Sequence, residues 1–269
     1  MTQQHDTNAL LDLALRGARA AGVELMARYG HIEGLNSKTS VNDPVSDADR
    51  AAERILVDLI TDERPADGLL GEEGANREST SGLRWVIDPL DGTVNYLYQL
   101  DNFSVSVAVE DAEGVLVGVV HNPTNGRTYR AIRGAGAVLD GHPLRVNDPV
   151  PMDRALLATG FGYEVQRRRN QGALMATLLP RVRDIRRIGS AALDLCAVAA
   201  GSVDGYFEEG VQAWDVAAGG LIAREAGASF ATVTPTGAPT GCLAAGPALF
   251  DELTKFLDHY PGRVGRSAE

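Results

Sequence analysis

Histidine and cysteine are both sparse in this chain. The five histidines are scattered and form no HxxxH pair, which argues against a histidine-built zinc site. Cys196 and Cys242 are the whole cysteine complement, and neither sits in a metal-type spacing. Both lie in apolar surroundings and read as small core residues, which suits a reducing cytoplasm. No hydrophobic run approaches the ~18 residues of a membrane span. The polar start, Met1 to Asp6, has no hydrophobic signal segment. Basic residues are outnumbered, 25 Lys and Arg against 36 Asp and Glu, for a formal charge of −11. No basic stripe offsets that charge, so direct nucleic-acid binding is not expected. A divalent cation would reduce it.

A real core can be built. The chain has 269 residues, 44% of them hydrophobic, enough for one large domain or two intimate subdomains. No internal repeat, low-complexity tract or long linker divides it.

One stretch organises the rest: Trp85-Val86-Ile87-Asp88-Pro89-Leu90-Asp91-Gly92-Thr93-Val94-Asn95. Leu83 to Ile87 reads as a buried strand that Pro89, lacking an amide proton, is expected to end. Two carboxylates at a buried strand end repel by roughly 4 kcal/mol at ~4 Å and an effective dielectric of ~20. A bridging cation would remove that cost. Glu72, in Gly71-Glu72-Glu73-Gly74, follows another apolar run and offers a third carboxylate. A polar turn with both aspartates bonded to backbone is the bland alternative.

In chain order, the pattern predicts a helix over Thr7 to Tyr29, a polar loop carrying Lys38, and a second helix from Ser46 to about Ile60. Asp49 has capping-box spacing from Ser46. Gly74 to Gly82 reads as a flexible surface segment. Phe103 to Val109 and Val115 to Val120 form a hairpin, and Thr128 to Ile132 with Ala137 to Leu139 another. The second half alternates: strand 155–159, helix 166–179, strand 184–188, helix 191–200, strand 204–208, helix 214–226, strands 229–233 and 243–245, and a last helix 247–257. Residues 1–150 are thus read as helices with a mostly antiparallel sheet, and 151–269 as an α/β half, within a single domain over 1–269.

Asp-Pro-Leu-Asp-Gly-Thr, with Gly-Glu-Glu upstream and Trp214-Asp215-Val216-Ala217-Ala218-Gly219 downstream, resembles the inositol monophosphatase family. Three motifs in the right order, from about Lys38 to about Gly227, make the likeness specific. The family consists of magnesium-dependent, lithium-sensitive phosphatases folded as layered α-β-α-β-α sandwiches, a fold of the inositol monophosphatase and fructose-1,6-bisphosphatase type. Its members are commonly homodimers.

The resemblance implies roles residue by residue. Glu72, Asp88, the backbone carbonyl of Leu90, Asp91 and Asp215 would bind two or three Mg²⁺ ions. Oxygen-only ligands suit that hard cation. Glu72 and Thr93 would activate and orient the attacking water. Asp91, Gly92, Thr93, Gly189, Ser190, Ala191, Glu208 and Asp215 would contact substrate. Asp49 would lie near the metal centre. Five of them have a plainer reading of their own: Asp49, Ser190 and Asp215 as helix caps, Thr93 as a turn residue, Glu208 as a solvated surface acid. Arg167-Arg168-Arg169 reads as a solvated helix start, a partner-subunit contact, or the source of an arginine reaching the site. One departure is Val211-Gln212-Ala213, where some family members carry a histidine before Trp-Asp.

The expected activity is Mg²⁺-dependent hydrolysis of myo-inositol 1-phosphate or a near relative. Histidinol phosphate or a nucleotide 3′-phosphate is the alternative substrate. A haloacid-dehalogenase-type phosphatase would need Asp-x-Asp near the N-terminus, whereas this chain has Asp-x-x-Asp at residue 88. A different class of role, a protein contact with the transcription machinery, also follows from the resemblance, since some bacterial family members act that way.

Overall fold

The computed structural model describes residues 5–30, 36–37, 44–45 and 47–260. Helix α1 (Thr7–Arg28) starts where Asp6 Oδ1 accepts from the amides of Asn8 and Ala9 at 3.2 and 3.1 Å. Its buried stripe is Leu10, Leu13, Ala14, Ala18, Ala21 and Leu25. Strands β1 (Asn36–Ser37) and β2 (Pro44–Val45) pair antiparallel. Helix α2 (Asp47–Glu63) buries Ala48, Ala52, Leu56 and Ile60, spaced four apart. Lys38 and Ser46 lie outside the described residues; Asp49 falls in the first turn of α2 and is fully buried.

An eight-stranded sheet follows: β3 (Gly68–Gly71), β4 (Asn76–Arg77), β5 (Arg84–Asp91), β6 (Ser104–Asp111), β7 (Gly114–His121), β8 (Thr128–Ile132), β9 (Ala137–Leu139) and β10 (His142–Pro143). The spatial order is β10-β9-β8-β7-β6-β5-β3-β4, antiparallel except for β3 beside β5. A short helix, α3 (Thr93–Leu97), follows β5. Alternation decides the faces. Trp85, Ile87, Val105, Val107, Val109, Val117 and Val119 pack with α1 and α2. Val86, Ala108 and Val120 face the other way.

Two expectations need correction. Pro89 does not end the strand: β5 continues to Asp91, pairing Asp88 with Ser106 and then Asp91 with Ser104. Two residues, Pro89 and Leu90, therefore oppose Val105 alone. This is a bulge, where a missing amide proton costs no ladder bond. The segment 74–82 is not wholly irregular either. Within it β4 turns back and pairs with β3, Leu69 opposite Arg77.

The second half supplies β11 (Leu156–Thr159), α4 (Val165–Leu178), β12 (Asp184–Arg186), α5 (Ala191–Ala199), β13 (Gly205–Glu209), α6 (Ala213–Glu225), β14 (Ser229–Thr232), β15 (Gly241–Ala245) and α7 (Pro247–Asp258). Its sheet runs β12-β11-β13-β15-β14, with β11 parallel to β12 and β13 and the remaining pairs antiparallel. Residues of α5 and α6, among them Leu195, Val198, Leu221 and Ile222, fill the space between the sheets. Leu157, Phe207 and Leu243 meet Leu174 and Leu178 of α4 and Leu249, Leu253 and Leu257 of α7 on the outer face. The layers are α1/α2, sheet, α5/α6, sheet, α4/α7: the expected α-β-α-β-α sandwich. The end of β5, the turn after β3, the end of β13 and the first turns of α5 and α6 all reach one cleft.

Candidate active site

The cleft has a volume of about 290 Å³. Glu72, Asp88, Leu90, Asp91, Gly92, Thr93, Gly189, Ala191, Glu208 and Asp215 all line it. Residues from both halves of the chain are thus brought together.

The β5 bulge sets the first group. Asp88 is buried, and its Oδ1 accepts from the Leu90 amide at 3.0 Å. The Thr93 hydroxyl donates to the Leu90 carbonyl at 3.1 Å. That oxygen keeps a second lone pair for a ligand. Gly92 holds φ 98°, a left-handed backbone that glycine adopts without penalty. A side chain there would also meet the Asn102 carbonyl at 2.9 Å. Asp91 accepts from the Ser190 hydroxyl at 2.5 Å and from the amides of Ala191 and Ala192 at 3.2 and 2.8 Å. The bland reading of these aspartates, bonded to backbone, therefore holds at the same time as their place in the cleft.

Ser190 is placed differently from the expectation. It is 1% exposed and lies behind the wall, where its Oγ caps α5 through the Leu193 amide at 3.2 Å. Gly189 and Ala191, on either side, reach the cleft. Asp215 is the third residue of α6 rather than its N-cap, and Oδ2 accepts from the Gln212 amide at 2.6 Å. A cap of this kind engages one carboxylate oxygen and leaves the other for a ligand.

The electrostatics report how closely the acids are gathered. Asp88 is pushed well above the usual carboxylate range, first by burial and then by the charges of Glu72, Asp91, Asp215 and Asp49. Asp91 is raised by burial against the opposing pull of Ser190 and the Ala192 amide. Asp215 is raised by burial and by Asp91. Asp49 lies near Asp88 but does not line the cleft. Among the described residues, no three His, Cys, Asp or Glu side chains stand as a ready-made metal cage. The donor chemistry nevertheless fits a hard divalent ion: carboxylates and a carbonyl, with no nitrogen or sulfur.

Glu208 is not a solvated surface acid. It is half-buried and accepts from the Tyr206 hydroxyl at 2.7 Å, with Tyr206 itself fully buried. A Cβ on Gly160 would lie 1.8 Å from Glu208 Oε2, so that glycine gives the carboxyl its place. Burial raises Glu208 to about 7, against the lowering effects of Tyr206 and Arg187.

The arginine run divides. Arg167 lines the cleft while Arg168 and Arg169 are exposed. Arg187 also reaches the wall and was not foreseen, although it stands two residues before Gly189. Tyr206 and Gly160 were missed as well; only the three-dimensional fold brings them to Glu208. Among the described residues, no helix is long and apolar enough to cross a membrane.

Comparison with known proteins identifies relatives over most of the chain. The family model described as "Inositol monophosphatase family" matches residues 6–257. An "Inositol-1-monophosphatase SuhB" of Mycobacterium tuberculosis is 42% identical over 260 residues, covering 92% of this chain and 89% of that protein. A "Nus factor SuhB" of Escherichia coli is 40% identical over 221 residues, covering 81% and 83%. Among solved structures, an IMPase of Thermotoga maritima superposes with a TM-score of 0.83 at 31% identity, covering 93% of this chain and 97% of its own.

Proposed function

The chain belongs to the inositol monophosphatase family, and from that premise we propose that it is a Mg²⁺-dependent phosphatase of myo-inositol 1-phosphate or a close relative. The observation that carries this reading is that Glu72, Asp88, Asp91 and Asp215 line one cleft, with Glu208 in the same cleft. Relatives named inositol-1-monophosphatase at 42% identity support the substrate class.

Glu72, Asp88, the Leu90 carbonyl, Asp91 and Asp215 would hold two or three Mg²⁺ ions. Bound there, the ions would supply charge neutralisation of the phosphate and activation of water. The chain's own residues do the rest. Glu72 accepts a proton from the attacking water, and Thr93 orients that water through its hydroxyl oxygen. Gly92 allows the backbone to approach the phosphate. Gly189 and Ala191 border the ring, and Glu208 accepts a hydrogen bond from a ring hydroxyl. Residues 1–150 and 151–269 act in this reading as one phosphatase domain, since each contributes to the same cleft. The protein is proposed to work as a cytoplasmic homodimer and to be inhibited by lithium. Histidinol phosphate and a nucleotide 3′-phosphate are the competing substrates.

A second reading has its own support: relatives 40–44% identical carry the name "Nus factor SuhB". It proposes a protein partner in the transcription machinery, bound independently of catalysis.

A phosphate-release screen over phosphomonoesters tests the first reading. Turnover is expected with Mg²⁺, highest on inositol 1-phosphate, and abolished by chelator. Full turnover in chelator would overturn it. A pull-down against transcription factors tests the second.

A further inference from the structure

Helix α2 carries a buried acid that the proposed chemistry does not use. Glu53 is 7% exposed, lies one helical turn after Asp49, and does not line the cleft. Both its oxygens are engaged: Oε2 accepts from the Glu73 amide at 2.8 Å and Oε1 from the Ala75 amide at 3.0 Å. One carboxylate thus spans the turn that begins at Glu72. The Gly71 amide closes the same turn onto the Ala75 carbonyl at 2.7 Å.

The carboxylate fits because residue 71 has no side chain. A Cβ there would lie 2.4 Å from Glu53 Oε2. On its other side the turn is tied to β5, the Glu72 amide donating to the Ile87 carbonyl at 3.3 Å. Ile87 immediately precedes Asp88. Glu72 is therefore slung between the strand that delivers Asp88 and a carboxylate that grips the next amides along. Burying an acid beside Glu72 and Glu73 is unfavourable in itself: burial and both neighbouring charges raise Glu53, while the two amides oppose them.

We propose that Glu53 is a positioning residue for Glu72: by accepting from the amides of Glu73 and Ala75 it fixes the turn so that Glu72 and Asp88 address the same ions. This inference rests on the proposed metal-dependent function. Asp49 and Glu53 then make α2 a support beneath the cleft, one near Asp88 and the other under the Glu72 turn.

The test is calorimetric titration of Mg²⁺ into the metal-free protein, run beside phosphate release and thermal melting. Glu53→Gln keeps the size but replaces one acceptor oxygen with a donor that faces an amide. Groups that orient metal ligands typically change affinity by about 10–100-fold when altered. The expected result is Mg²⁺ affinity and kcat each lower by about tenfold, with KM for the phosphate ester within about twofold and a folded protein. Gly71→Ala leaves Glu53 intact but occupies its place while also meeting the Ala75 Cβ at 2.9 Å, so it disturbs the same turn from both sides and is expected to weaken Mg²⁺ binding at least as much. The double variant should be no worse than Gly71→Ala alone, because the contact that Glu53→Gln weakens is already lost there.

Unchanged Mg²⁺ affinity in folded Glu53→Gln overturns the proposal. So does a fall in melting temperature with Mg²⁺ affinity intact, which marks a purely structural role. If Glu53→Gln fails to fold, Gly71→Ala decides; if neither folds, Glu53 is a stability residue and the proposal falls. Wild-type protein that binds Mg²⁺ but releases no phosphate from any ester would sink the proposed function, while the calorimetry still reads the brace.

Discussion

Asp91 and Ser190 are joined by a 2.5 Å hydrogen bond, and the amides of Ala191 and Ala192 donate to the same carboxylate. A residue at the end of β5 therefore anchors the first turn of α5. The proposed metal residues and the loop carrying Gly189 and Ala191 are thereby held as one piece, so in the proposed reading this joint would set the distance between the phosphate and ring contacts. The charge is also well placed, because a carboxylate at a helix N-terminus is favourable.

Ser190→Ala should expose the value of that joint. It removes a charge-assisted bond to Asp91 and the cap on the Leu193 amide. Losing a cap costs about 0.5–2 kcal/mol and a bond to a charged group about 1.5–3 kcal/mol. A combined loss of about 2–5 kcal/mol is expected by denaturant unfolding, with reduced turnover, and Ser190→Thr should restore most of both. A loss below about 0.5 kcal/mol would mean that the α5 amides hold Asp91 unaided.

Asp88 provides the metal prediction. Its Oδ1 accepts from Leu90, and Asn retains that acceptor while removing a charge. Asp88→Asn should lower turnover by at least ~10²-fold, since charge stabilisation at the transferring phosphoryl carries most of the catalysis. Metal-free stability should hold or rise, because Asp88 is buried among Glu72, Asp91, Asp215 and Asp49. Saturating Mg²⁺ should stabilise the wild type by about 2.7 kcal/mol at 100 times its dissociation constant, and the variant by much less. A steep drop in the metal-free melting temperature of Asp88→Asn would assign the residue to structure.

That Glu72, Asp88, Asp91 and Asp215 share one cleft was legible because each lies in a contiguous motif of the resemblance, beside an apolar run or a helix start. The layered fold was legible from the change of rhythm between the two halves. The tertiary supports were not. Asp91 meets Ser190 across 99 positions, and Glu53 meets Ala75 across 22; no local period encodes either contact. Pro89 misled because its effect depends on the bulge that receives it, which is a property of β5 and β6 together. Glu208 stood out as a substrate contact only through the resemblance, and its plain reading was a surface acid, because Tyr206 and Gly160, which fix it, carry no charge pattern.

Glu208 also predicts a pH dependence in the metal-free protein. Its folded pKa of about 7 stands above the ordinary 4.5. The folded state therefore binds more protons than the unfolded state between those values, and stability falls as pH rises through the window. Tyr206, Arg187 and Asp91 face it, and Asp194, Cys242 and Asp215 respond to its charge. Because Asp88, Asp91 and Asp215, all raised, act in the same direction, the contribution of Glu208 is the difference between wild type and Glu208→Gln. At about 1.4 kcal/mol per unit, that difference should grow by on the order of 2–3 kcal/mol from pH 4.5 to pH 8, measured by denaturant unfolding in chelator. Parallel curves would mean that Glu208 titrates near its ordinary value.

The same residue separates substrate recognition from chemistry. Glu208 lies seven positions before Asp215, on the same cleft, but Tyr206 and Gly160 hold it rather than the β5 bulge. A carboxylate fixed in this way can accept from a polyol hydroxyl. Hydrogen bonds to charged groups contribute roughly 1.5–3 kcal/mol, which is about one to two orders of magnitude in kcat/KM. Glu208→Gln should lower kcat/KM on inositol 1-phosphate by ~10-fold or more and leave an aryl phosphate, which has no ring hydroxyls, nearly untouched. Tyr206→Phe removes the 2.7 Å support and should show the same selectivity in weaker form, because the carboxylate remains but is no longer aimed. Equal losses on both esters would place Glu208 in the catalytic machinery. No loss on either would remove it from recognition and weaken inositol phosphate as the substrate.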